Sequence, residues 1–148
     1  MSLNFNSQGF LHQTITLSHD EVVHHFGTNP RRANQLENAL RFFRIFYACG
    51  CQFVYIDGSF VSTKKYPEDI DLCFDTTSLE ADKLKKEFPQ FFDLSALGKI
   101  HRDLQCHIFT FSENSTRFFD LLSEDREGNR KGFVKLNLKD LPIHYDQE

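Results

Sequence analysis

The sequence predicts an α+β domain in which a small mixed β-sheet is flanked by helices. Three observations carry this prediction. Helical and strand periodicities follow one another in the order helix, strand, strand, helix, strand, helix, strand, which places a sheet beneath a helical layer. The 148 residues supply one core rather than two, since a chain of this size buries roughly two-thirds of its unfolded surface. Seventeen phenylalanines and no tryptophan suit a core of large rings packed between sheet and helices. The reading is therefore a single domain over residues 1–148, with residues 1–17 as an extended N-terminal arm.

Each element has a local reason. Ser18-His19-Asp20-Glu21 is a capping box, in which the Ser18 hydroxyl accepts from the N–H of Glu21 and Glu21 reaches back, so a short helix starts there and Gly27 ends it. Asn29-Pro30 is a cap with proline at the first helical position. Beyond it Leu36, Leu40, Phe43 and Tyr47 recur at helical spacing, which predicts an amphipathic helix over about 31–48 closed by Gly50. Gln52-Phe53-Val54-Tyr55-Ile56 reads as a central buried strand that must turn at Asp57-Gly58-Ser59. After a polar loop, Asp69-Ile70-Asp71-Leu72-Cys73-Phe74-Asp75 alternates, with Ile70, Leu72 and Phe74 on one face and Asp69, Asp71, Cys73 and Asp75 on the other. Thr77 with Glu80 offers a second capping box for a helix over about 78–87, stopped before Pro89. Residues 105–111 read as a strand, 115–122 as a short helix, Gly128 as a turn and 132–138 as a last strand.

No run approaches the ~20 apolar residues that a membrane span needs, and residues 1–10 lack the basic and apolar regions of an export signal. The expectation is a cytoplasmic protein without a membrane partner. Seventeen basic against twenty-one acidic residues give a net charge of −4, which argues against broad adhesion to nucleic acid and leaves only a local basic patch open to it. Cys49, Cys51, Cys73 and Cys106 read as reduced, buried small apolar residues. The Cys49-Gly50-Cys51 triplet has no second cysteine pair or nearby histidine, and His101 and His107 do not show a zinc spacing. His24 and His25 sit where the end of the first helix favours a positive charge, whereas Arg31 and Arg32 oppose the dipole of the second and call for a carboxylate such as Glu37, or for phosphate.

The unusual constellation is an apolar strand, then Gly58 and Ser59, then nine residues, then Asp69 and Asp71. A Gly-Ser turn directly after a strand lets backbone approach a ligand, and a helix opening over 60–63 would aim free N–H groups at phosphate. Two carboxylates about 7 Å apart along one strand face suit Mg²⁺ or Mn²⁺, bound through one or two carboxylates together with substrate phosphates. Lys64 and Lys65, in the connecting loop, stand within reach of phosphate or nucleic acid. Together these features describe a metal-dependent site whose partner is a nucleoside triphosphate.

On these residues the sequence resembles the nucleotidyltransferase superfamily related to DNA polymerase beta, above all its minimal bacterial members. Their signature is hydrophobic-Gly-[Gly/Ser], a spacer, then Asp-hydrophobic-[Asp/Glu]-hydrophobic; here it reads Ile56-Asp57-Gly58-Ser59 and Asp69-Ile70-Asp71-Leu72. A wider frame, from Asn29-Pro30-Arg31-Arg32 through Tyr55–Val61 to Lys131-Gly132-Phe133-Val134, resembles a bacterial branch to which no reaction attaches. The resemblance implies a nucleotidyltransferase-like fold, a triphosphate held at Gly58 and Ser59, and divalent metal on Asp69 and Asp71. Members of the superfamily usually add a third carboxylate from a neighbouring strand, but Gln105–Phe111 contains no acid. Asp103 and Glu113 flank that strand and Asp75 lies further along the Asp71 face, while His107 can stand in as a ligand or general base.

Two functions follow. The first is Mg²⁺-dependent transfer of a nucleoside monophosphate from a nucleoside triphosphate to a hydroxyl acceptor, with Asp69, Asp71 and His107 in the catalytic roles. The second is a catalytically degenerate nucleotidyltransferase fold acting as a binding module, for instance the antitoxin-like partner of a protein encoded nearby. A plain structural α+β domain remains if neither metal nor nucleotide binds.

Overall fold

A computed structural model describes residues 3–112 and 132–142. Strands β1 (Ile15–Leu17), β2 (Phe53–Asp57), β3 (Ile70–Asp75), β4 (Cys106–Phe111) and β5 (Val134–Asn137) form one sheet. Their spatial order is β1-β5-β2-β3-β4. Strand β2 runs antiparallel to β3 and β5, whereas β4 pairs parallel with β3 and β1 parallel with β5. The helices among the described residues are α1 (His19–Phe26), α2 (Pro30–Ala48), α3 (Ala81–Glu87) and α4 (Leu94–Leu104). The architecture is thus mixed α+β, a five-stranded mixed sheet with helices.

Alternation along the central strands turns Val54, Ile56, Ile70, Leu72, Phe74, Val134 and Leu136 into the core, where all are fully buried. Helix α2 lies over this face and stacks Phe46 flat on Phe74, with ring centroids 3.8 Å apart. Burial of each such side chain contributes about 1.5–3 kcal/mol, so the phenylalanine-rich composition does form the interior. The buried side of α2 carries Leu36, Ala39, Phe42, Phe43 and Phe46 together with Arg32 and Gln35. Tyr47, predicted on the apolar stripe, is 42% exposed, because Ala39, Phe42 and Phe46 centre the inward face about a quarter turn away from it.

Several boundaries differ from the sequence prediction. The arm ahead of α1 is not merely extended: Ile15–Leu17 adds β1 to the edge of β5, and Phe10 bridges to Ser62. The helix after β3 starts at Ala81 with no side-chain cap. The Thr77 N–H and hydroxyl both donate to Asp75 Oδ1, at 3.0 and 2.7 Å, so this turn displaces the predicted capping box. No element is predicted between Pro89 and Leu104, yet the Asp93 carboxylate caps the N–H groups of Ser95 and Ala96 and starts α4. The capping box of α1 and the Asn29 cap of α2 form as predicted. The helix expected over 115–122, the turn at Gly128 and Glu113 lie outside the described residues.

Candidate functional site

Strand register builds the centre of the site. It sets Asp57 opposite Asp71 across β2 and β3, and Asp71 opposite His107 across β3 and β4. The three side chains therefore stand abreast on the sheet face that turns away from the α2 core. Asp57 is buried, while Asp71 and His107 are partly exposed. His107 Nδ1 lies 3.4 Å from Asp71 Oδ1.

At the end of β2 the chain turns through Gly58 with φ +80°. A Cβ added there would lie 2.5 Å from Asp71 Oδ2, so glycine is required both for the left-handed backbone and for the close approach. The turn thus rests directly against the Asp71 carboxylate. In place of a helix opening over 60–63 there is a single 3-10 turn over Gly58–Val61, closed where the N–H and hydroxyl of Ser62 donate to the Ser59 carbonyl.

Beside this row, Asp69 and a residue from α4 complete a second group. Gln105, in the left-handed conformation with φ 58°, swings the chain from α4 into β4, and the Gln35 amide donates to its side chain. That reversal brings His101, in the last turn of α4, to Asp69: His101 Nε2 and Asp69 Oδ2 are 2.7 Å apart. The His101 and His107 rings stack with centroids 4.4 Å apart and planes 6° from parallel. One donor atom each from Asp69, His101 and His107 all lie within 4.8 Å of one another. Burial holds the pKa of His107 below its ordinary value, the neighbouring His101 adds to this, and Asp69 opposes it.

The loop between the Gly-Ser turn and Asp69 is fixed by the start of α2. The buried Arg32 guanidinium donates to the carbonyls of Phe26, Phe60, Ser62 and Lys64. Asn29 donates to the Lys65 carbonyl, and Arg31 and Gln35 both donate to that of Pro67. Arg31 and Arg32 thus use backbone carbonyls where the sequence called for a carboxylate or phosphate. Lys64 and Lys65 border a separate hollow with Asn29, Ser62 and Thr63, which includes neither Gly58 nor the Asp and His cluster. Lys65 Nζ instead lies 5.3 Å from the centre of the Tyr66 ring.

Asp69, Asp71 and His107 are therefore brought together with Gly58, whereas Lys64 and Lys65 are not. His101 and Asp57 were missed in the sequence. His101 falls where no element was predicted, although Leu97, Ile100 and Leu104 at helical spacing could have disclosed α4. Asp57 read as a turn residue at a strand end, and only the β2 to β3 register shows that it faces Asp71.

The donor set is chemically mixed. Asp69 and Asp71 offer the oxygens that Mg²⁺ or Mn²⁺ takes, and the two imidazoles add nitrogen donors. The four cysteines are free and buried, and burial pushes the thiols of Cys51, Cys73 and Cys106 up to about 12. Cys51 Sγ donates to the carbonyls of Phe53 and Asp75.

The class defined by fold and site is a mixed α+β domain with an acid and histidine cluster that could hold a metal, set against a glycine turn. The chain belongs to a family of unknown function, DUF6932, which it matches over residues 3–137. No curated protein and no solved structure matches it. No helix among the described residues is long and apolar enough to cross a membrane.

Proposed function

We propose that this chain is a metal-dependent nucleotidyltransferase that transfers a nucleoside monophosphate from a nucleoside triphosphate to a hydroxyl acceptor. The observation that carries this reading is the contact between Gly58 and Asp71. Two motifs separated by nine residues meet at one point, with backbone free of a side chain beside a carboxylate. Asp69 and Asp71 would hold Mg²⁺ or Mn²⁺, which when bound neutralises charge on the triphosphate. Gly58 and Ser59 would receive the outer phosphates. The acceptor oxygen bonds to the α-phosphorus, the bond from that phosphorus to the bridging oxygen breaks, and pyrophosphate leaves. His107, uncharged near neutral pH because its pKa is lowered, could accept the hydroxyl proton. Lys64 and Lys65 take no part in this reading. A cytoplasmic setting accords with four free thiols.

One observation favours the second reading, a fold that binds nucleotide or a nearby-encoded protein without transfer: β4 brings His107 rather than an acid beside Asp71. Incubation with α-phosphate-labelled nucleoside triphosphates, Mg²⁺ or Mn²⁺ and a cell extract as acceptor pool separates the two. Transfer of label that disappears in Asp69→Asn and Asp71→Asn is the expected result. Transfer that persists in the double variant removes the first reading, and stable co-purification with a partner without transfer supports the second.

A further inference from the structure

We propose that Asp69, His101 and His107 form a binding site for a divalent transition-metal ion of the zinc class, filled by the protein alone without nucleotide. Three separate elements converge on this point: the lead-in to β3, the last turn of α4, and β4. Their donor atoms lie within 4.8 Å of one another. Ligands at about 2.0–2.2 Å from a tetrahedral ion stand roughly 3.3–3.5 Å from each other, so the group closes around an ion when the donors move inward by on the order of an ångström and the stacked His101 and His107 rings turn out of parallel to aim their in-plane lone pairs at it. His101 Nε2 and Asp69 Oδ2 already face one another at 2.7 Å. An ion entering between them takes the place of the shared proton, which the neutral ring can carry on Nδ1 instead.

Donor chemistry selects the ion. Two imidazoles with one carboxylate suit zinc and its neighbours, whereas magnesium and calcium prefer oxygen alone. Three protein ligands that are each partly exposed leave a fourth position to water or substrate, the arrangement of zinc sites that do chemistry rather than those that only hold a fold. Two groups border the His107 ring: Asp71 Oδ1 lies 3.4 Å from Nδ1, and the Phe109 ring packs with its centroid 4.0 Å away. With Nε2 on the ion, Nδ1–H would face Asp71, and a carboxylate that accepts that proton orients a ligating imidazole and increases its basicity. The inference goes beyond the nucleotide reading and does not rest on it; it shares Asp69 and His107 with that reading, and while the ion is bound His107 is a ligand and not the proton acceptor.

The test titrates Co²⁺, as a visible stand-in for Zn²⁺, into the full chain near neutral pH without nucleotide. The expected result is one equivalent bound with d–d absorption, displaced by Zn²⁺ and not by excess Mg²⁺ or Ca²⁺. His101→Gln and His107→Gln should each weaken binding at least about tenfold, while a His24→Gln/His25→Gln control leaves it unchanged. In the wild type, Zn²⁺ should also protect His101 and His107 from diethylpyrocarbonate, a readout that needs no variant. Absence of d–d absorption, binding that survives in a His101→Gln/His107→Gln variant that still folds, or no protection in the wild type overturns the proposal. Because no nucleotide is present, a failed transfer assay and a failed metal titration are separate outcomes.

Discussion

Gly58 joins the two halves of the site, since its backbone turns left-handed where the Asp71 carboxylate leaves no room for a Cβ. Gly58→Ala should cost about 1–2 kcal/mol for the left-handed backbone alone, read as a lower midpoint in urea unfolding, and should also impair nucleotide binding by displacing Asp71. An alanine variant as stable as wild type would show that the turn tolerates a side chain. Cys73 illustrates how burial and charge act together: desolvation raises its pKa to about 12, and Asp57 and Asp75 add to the effect. Iodoacetamide near pH 8 should therefore leave Cys51, Cys73 and Cys106 largely unmodified until the chain is unfolded; rapid native alkylation of Cys73 would contradict this. At this scale the Asp69 and Asp71 pair was legible, because a period of two is visible in the seven residues from Asp69 to Asp75. The meeting of His101 with Asp69 was not, because it depends on the left-handed Gln105 reversing the chain.

Among the elements, α2 does more than cover the sheet. Its cap and first two turns send Asn29, Arg31, Arg32 and Gln35 into the carbonyls of the loop that leads to Asp69. Lysine has neither the planar fork nor the donors to replace Arg32, so Arg32→Lys should destabilise by about 3 kcal/mol through carbonyls left unsatisfied, measured by urea unfolding. Little change would mean that the loop holds its shape without the guanidinium. At the start of α1, burial lowers the pKa of His19, Arg44 adds to this and Asp20 opposes it. The unfolded chain takes up a proton near the ordinary value of 6.5 and the folded chain only below it. This contribution to stability is thus complete above that pH and is lost as pH falls from there through the lower folded-state value. His19→Gln should flatten the decline in melting temperature on acidification; an unchanged decline would remove His19 as a source of it. The two capping-box sequences show what limits local reading. Ser18 and Glu21 form their box, but Thr77 is taken by Asp75, and a four-residue pattern does not reveal a competitor two residues upstream.

For the whole molecule, the alternation of helices and strands was enough to read the α+β class, but not the order β1-β5-β2-β3-β4. Strand order is a matter of pairing between distant segments: β1 meets β5 across more than a hundred residues. The same distance hid the row of Asp57, Asp71 and His107, which exists only once β2, β3 and β4 are in register. The central claim is that Asp69 and Asp71, with Gly58 and Ser59, bind a divalent ion together with a nucleoside triphosphate. Thermal unfolding of the full chain with Mg²⁺ or Mn²⁺ and each nucleoside triphosphate, in the wild type and in Asp69→Asn/Asp71→Asn, tests it most directly. Ligand at about a hundred times its Kd stabilises by roughly 2.7 kcal/mol, a shift of several degrees in a domain of this size. The account predicts a metal-dependent shift with at least one nucleotide that is lost in the double variant, whereas no shift with any nucleotide, or an equal shift in the variant, would contradict it.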